Sequence, residues 1–383
     1  MLFKGHAPRL RTFSLSEVVI PWSLTPRGQL TQLKLACTDE NIHSLGDLNQ
    51  LIDLLVNCPA LNILVLDSCL PSQLSASPPA HGRIIDLPHL SRLRLGGSTS
   101  CIMNMLKILK LPSSTTLHLD CISKTIHTDS KGLLLLVISA QFRSPVPVEF
   151  KSLTVTIFHL GGLLAITAST FPSTLRDRQT QSSEGDIVGN AELVLSFNRL
   201  SKPGHSADLL KQVCKLLQIS NLKFISMSAV DTVNLNWVEL FSRCTNVTTM
   251  QVIGRGVSDL VQALTAPTDT NAGSSKVGRK RKHNNRESAR VQPASTVAHA
   301  HAAIFPELKF LGLAQLNFSD SKHNPSGILF DVFKRGLQQR TATSGAPLKL
   351  LRVHGCHISA KRANDLEKLV QDFNWDGFED YIN

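Results

Sequence analysis

One spacing constrains this chain more than any other: an aliphatic residue, then another three positions on, then a third two positions further. Leu61, Leu64 and Leu66 follow it within "NCPALNILVLDSC", and Cys69 comes three residues after the last leucine. The same frame holds Leu30, Leu33 and Leu35; Leu90, Leu93 and Leu95; Leu222, Ile225 and Met227. It returns at Val247, Met250 and Val252, at Leu308, Leu311 and Leu313, and at Leu348, Leu351 and Val353, where Cys356 follows in the same place as Cys69. Looser copies are Leu10, Phe13 and Leu15; Leu117 and Leu119; Leu153 and Val155; and Leu193 and Leu195.

The last two positions of each frame are two residues apart, so a short strand points both to one face. The first packs from the turn that leads into the strand. One unit cannot bury this face alone, but stacked neighbours can. Three buried aliphatic side chains contribute roughly 5–8 kcal/mol gross per unit, from about 1.5–3 kcal/mol each. Chain ordering offsets most of that. Hydrophobic residues make up 42% of the 383, yet aromatics only 5%, so the core must be built of aliphatic layers.

Stretches with helical spacing separate the frames: 44–57, 206–219, 236–244, 257–264, 327–339 and 361–373. The step from Met250 to Leu311 is about twice the ordinary one and contains residues 266–302, which lack apolar periodicity. These features predict an α/β fold: an irregular leucine-rich-repeat solenoid, parallel strands on the concave face and helices on the convex face. Residues 1–265 form the main array, 266–302 a disordered basic insertion, and 303–383 the final repeats and cap. A generic α/β domain with leucine-rich strands is the alternative.

Of the net charge of +11, the stretch from Lys276 to Arg290 supplies +6. Lys276, Arg279, Lys280, Arg281, Lys282 and Arg286 form a basic run of the kind that reads as a nuclear-localisation signal or a nucleic-acid contact. Aromatics are absent from it, which disfavours base stacking. The N-terminal "MLFKGHAPRL" has no apolar core of a secretory leader. No window reaches the roughly 18 apolar residues of a membrane span, and "GLLLLVISA" (132–140) reads as a buried element. The expected location is intracellular, in nucleus or cytoplasm, with the cysteines as reduced thiols.

No catalytic motif, cofactor fingerprint or metal motif is present. The strand between Cys58 and Cys69 holds them on the order of 20 Å apart, too far for a disulfide. Zinc sites need more closely paired cysteines than any here. His354, Cys356 and His357 are the tightest cluster, but Cys356 falls on the turn-closing position of its repeat. "GGSTS" (96–100) reads as a turn. The chain is therefore expected to be no enzyme and to hold no cofactor or metal.

The phrases "HAPRLRTFSLSEVVIPWSL", "LTQLKLACTDENIHSLGDLNQLIDLLVNCPALNILVLDSCLP", "LPHLSRLRLGGSTSCIMNMLKILKLPSSTTLHLDC" and "NWDGFEDYI" resemble the leucine-rich region of fungal, mushroom-type F-box proteins. The resemblance covers residues 6–125 well and is looser from 130 to 383. It implies a non-catalytic protein-protein interaction module, the substrate-recognition region of a ubiquitin ligase subunit. The first frame begins near Leu10, so an F-box, and with it the ligase adaptor as partner, would lie upstream of Met1. The other reading is a nucleus-directed repeat scaffold or nucleic-acid-associated protein.

Positions between the leucines point away from the core. Lys34, Val65, Asp67, Arg92, Arg94, His118, Asp120, Arg352 and His354 are the expected protein-binding residues of the concave face, and Phe224 and Ser226 share their register. Their partner is an unidentified protein, with no membrane role and nucleic acid disfavoured.

Overall fold

The structure, a computed structural model, describes residues 9–18, 29–37, 48–70, 84–122, 132–133, 149–158, 162–171, 193–198, 200, 205–217, 219–229, 235–254, 260, 264, 304–318, 330–344 and 347–378. The insertion 266–302 with its basic run, the stretch 134–140 and most of 257–264 lie outside the described residues.

Every aliphatic frame forms a strand. In chain order these are β1 (Thr12–Ser16), β2 (Gln32–Ala36), β3 (Ile63–Asp67), β5 (Arg92–Ser98), β7 (Thr116–Ile122), β8 (Ser152–Phe158), β10 (Leu193–Asn198), β11 (Phe224–Ala229), β12 (Thr249–Gly254), β13 (Phe310–Ala314) and β14 (Leu350–His354). The frames do not mark β9 (Leu163–Ser169), β15 (Asp372–Trp375) or the short pair β4 (Ile85–Asp86) and β6 (Leu109–Lys110). Thirteen strands share one sheet, ordered β1-β2-β3-β5-β7-β10-β9-β8-β11-β12-β13-β14-β15.

All neighbours in this sheet are parallel except β9, which runs antiparallel between β10 and β8. The strand order also departs from the chain order there. After β7 the chain lays down β8 three places away, returns through β9, and sets β10 against β7. The expectation of an all-parallel set of strands is thus corrected at β9.

The repeated local geometry explains the frame. Leu61, Leu90, Leu222 and Leu308 each donate their N–H to the carbonyl three residues back, on Cys58, Leu87, Ile219 and Phe305. Both ends of each turn are buried. Before the strands, one carbonyl accepts two successive N–H groups from the next repeat: Arg11 from Thr31 and Gln32, Thr31 from Asn62 and Ile63, Lys223 from Thr248 and Thr249, Lys309 from Lys349 and Leu350.

After four strands the chain turns through a left-handed residue: Glu17, Ser68, Gln315 or Gly355, with φ of 54–59°. At three of these turns the next side chain returns to the core, as Cys69, Leu316 and Cys356, all at most 2% exposed. Cys69 donates its Sγ–H to the Asp67 carbonyl at 3.0 Å. Its role as closer of the turn follows from that bond.

Six helices are described: α1 (Leu48–Val56), α2 (Thr99–Ile108), α3 (His205–Leu216), α4 (Trp237–Phe241), α5 (Phe330–Ser344) and α6 (Ala360–Glu367). Their buried faces join the strand leucines in one core. Helix α2 replaces the turn expected at 96–100: Gly96–Ser98 complete β5, and Ser98 caps α2 by accepting from the Cys101 N–H. The helix expected over 361–373 ends at Glu367, and Asp372–Trp375 pairs with β14 instead. Among the described residues no helix is long and apolar enough to cross a membrane.

Candidate functional site

With the leucines turned inward, alternate residues of β2, β3, β5 and β7 fall into rows across the other face. One row runs Gln32, Ile63, Arg92, Thr116; the next Lys34, Val65, Arg94, His118; the third Ala36, Asp67, Gly96, Asp120. The rows continue onto β10 as Val194 and Ser196. Neighbouring strands lie about 4.8 Å apart and successive rows about 6.6 Å apart. Lys34, Val65, Asp67, Arg94, His118, Asp120 and Arg352 are partly exposed, and Arg92 and His354 are exposed. All nine predicted residues therefore stand outside the core. Seven gather on β2–β7; Arg352 and His354 lie far along the sheet on β14.

Arg94 organises the near group. Its Nη2 lies 3.0 Å from Asp67 Oδ2 and 3.0 Å from Asp120 Oδ2, and its Nε donates to Asp120 Oδ2 at 3.1 Å. Asp120 Oδ1 lies 3.2 Å from His118 Nε2, and the Ser196 hydroxyl donates to the same carboxylate. Burial alone would raise the Asp120 carboxyl; the contacts with His118, Arg94 and Ser196 outweigh it and hold the group below its ordinary value. The aspartate is therefore a fixed anion.

Gly96 makes this arrangement possible. A Cβ there would stand 2.3 Å from Asp67 Oδ1. Lacking one, Gly96 leaves room for the Asp67 carboxylate to lean across β5 toward Arg94. Sequence periodicity places Gly96 on this face but gives no sign that its missing side chain is what the neighbouring acid needs.

Ser196, Asp120 and His118 do not form a nucleophilic triad. The acid stands between hydroxyl and imidazole, so no base reaches the hydroxyl. Nor do the cysteines offer an exposed nucleophile, since all eight are buried. Burial pushes Cys214 and Cys244 up to about 12. Burial and the neighbouring Cys37 thiol push Cys69 up further; the two sulfurs lie 3.2 Å apart. Among the described residues no group of three or more His, Cys, Asp or Glu could hold a metal ion. Cys356 points into the core while His354 is turned out toward Asp376, which separates the His354/Cys356 cluster.

The centre of the face differs from the expectation. Phe224 and Ser226 are 1% and 2% exposed, so they offer a partner nothing. The side chains in register with them on β8 and β9 are small, Ser152, Thr154, Thr167 and Ser169. At the far end Asp376 anchors the terminal segment: its Oδ2 accepts from the Gly355 N–H at 2.6 Å and lies 3.0 Å from His354 Nδ1. The Phe378 ring stacks edge-on against His357. His354 is thus partly engaged within the chain, whereas Arg352 has no charged partner among the described residues. Comparison of the chain with family models, with curated proteins and with solved structures finds no match in any of the three.

Proposed function

We propose that this chain is a leucine-rich-repeat solenoid whose polar sheet face recognises another protein, without catalysis of its own. The observation that carries this reading is the grid on β2–β7. It presents charged and aliphatic side chains on rigid strands, and Arg94 bridges two of its acids before any partner arrives. Preordered side chains lose little entropy on binding, which favours recognition. The recurring turns and shared carbonyls support the solenoid reading, because each repeat is tied to the next in the same way.

The resemblance over residues 6–125 extends the proposal: the bound protein would be a target for ubiquitination, presented by an F-box-type ligase subunit. A photo-crosslinking amino acid placed at Val65, and as control at Gln50 on α1, tests recognition in cells. The expected result is a discrete adduct from position 65 and none from 50. Equal labelling from both sites would refute it. Co-purification tests the ligase role: recovery of Skp-type adaptor and cullin with the natural protein supports it, and their absence removes it.

A further inference from the structure

The acids of the grid are already taken, but two of its cations are not. Asp67 and Asp120 both face Arg94. The side chains of Lys34 and Arg92 have no hydrogen bond or ion pair among the described residues. They stand on strands two places apart and in adjacent rows, which puts their backbones about 12 Å apart along a diagonal. Between them on β3 lie Ile63 and Val65, both partly exposed and both facing outward.

We infer that this diagonal binds an extended acidic segment of the partner protein, of the pattern acid-x-aliphatic-x-acid. The inference rests on the recognition role proposed above. In an extended chain, residues four apart lie on the same side about 13 Å apart, with the residue midway between them on that side too. The two acids then reach Lys34 and Arg92, and the aliphatic side chain settles over Ile63 and Val65. Polynucleotide fits less well. Lys34, Ile63, Val65 and Arg92 include no aromatic ring on which bases could stack.

The test uses a labelled twelve-residue peptide with Glu-Ser-Leu-Ser-Glu at its centre, read by fluorescence anisotropy against the full chain. Comparison peptides replace both Glu by Gln, both Glu by Lys, or Leu by Ser, and a labelled single-stranded DNA 20-mer is run alongside. The acidic peptide should bind, and the Gln and Ser versions should bind about tenfold more weakly. The double variant Lys34→Glu/Arg92→Glu should lose about tenfold for the acidic peptide and gain the Lys peptide. Neither side chain has a hydrogen bond or ion pair among the described residues, so the variant should keep the parent's circular dichroism and melting temperature.

Absence of acidic-peptide binding, indifference to the charge reversal, or tighter binding of DNA through the same two residues would each overturn the inference. The recognition role fails separately. A partner that crosslinks at Val65 equally well in the charge-reversed variant overturns the acidic motif alone. Absence of any adduct at Val65 overturns recognition itself.

Discussion

Substituting Gly96 by alanine should destabilise the chain, and the reason lies wholly in Asp67. Gly96 has no positive φ, so alanine suits its backbone. In a strand this exchange alone stabilises by about 0.5–1 kcal/mol. Here the new Cβ would lie 2.3 Å from Asp67 Oδ1 and 3.2 Å from its Cγ. The carboxylate must swing away by about 1 Å to reach ordinary contact, off its preferred rotamer, at a cost of about 0.5–1.5 kcal/mol. It also leaves Arg94 Nη2, now 3.0 Å away, in a pair with side chains 40% and 30% exposed. That pair contributes about 0.5–1 kcal/mol.

The two costs outweigh the gain, and Gly96→Ala should lower stability by about 0.5–1 kcal/mol. With Asp67→Ala already in place the carboxylate clash and the ion pair are both gone, and only the 3.3 Å approach to the Cα of residue 67 remains. The same Gly96→Ala should then stabilise by about 0.5–1 kcal/mol. Urea denaturation of the four chains gives the double-mutant cycle, with an expected coupling of about 1–2 kcal/mol. A coupling below about 0.5 kcal/mol, the limit for independent sites, would refute the claim that Gly96 exists to admit the Asp67 carboxylate.

Three further outcomes follow from the same structure. Arg340, 4% exposed on α5, donates from Nη1 to the Phe305 carbonyl at 2.7 Å and from Nη2 to those of Pro306 and Leu308 at 2.9 Å; Arg340→Leu should cost about 3–5 kcal/mol in thermal or urea unfolding, and Arg340→Lys should recover only part, since an ammonium cannot fork. At pH 8 a thiol held at about 12 is thiolate in roughly one part in ten thousand, so Cys214 and Cys244 should resist iodoacetamide until urea unfolds the chain, as mass spectrometry of the alkylated protein would show. Because the folded Asp120 carboxyl lies below its ordinary value of 3.8, the stability it contributes is present above about pH 4 and is lost as pH falls below that; Asp120→Asn should flatten the acid limb of stability measured between pH 2 and 6, and an unchanged limb would contradict the assignment.

How far these positions can be read from sequence depends on the kind of interaction involved. Leu61, Leu64 and Leu66 announce themselves because burial of aliphatic area needs only the right period, and each is fully buried. The outward set follows from the same period, which is why all nine predicted residues avoid the core. The pairing of Arg94 with both aspartates is different. It depends on register between strands 26 or 27 residues apart, and on a glycine whose importance is the absence of an atom. Helix α2 was hidden because "GGSTS" carries turn-type residues, and one of them, Ser98, is a helix cap. A signal for β9 did exist: the runs "SLTVTIF" and "LLAITAS" both alternate with period two and are separated by four residues ending in Gly-Gly. That is a hairpin pattern, obscured because β9 lacks the leading leucine of the frame.

The reversal at β9 bears on the candidate face through a single contact. If every strand simply followed the last, β8 would lie beside β7, and a residue of β8 would meet Asp120. The hairpin instead sends β8 beyond β9 and brings β10 to β7, which puts Ser196 in register with Asp120. The outward side chains of β8 nearest this level are threonines, Thr154 and Thr156, and they serve the hydroxyl-rich centre instead. The grid on β2–β7 therefore follows chain order and is legible, while the donor that finishes it arrives from a strand out of order. Arg94 and His118 come from the legible part and already oppose the rise that burial imposes on the Asp120 carboxyl. Ser196 adds a neutral hydrogen bond to the same carboxylate, so the topology that sequence reasoning missed supplies one of the contacts that hold Asp120 below its ordinary value.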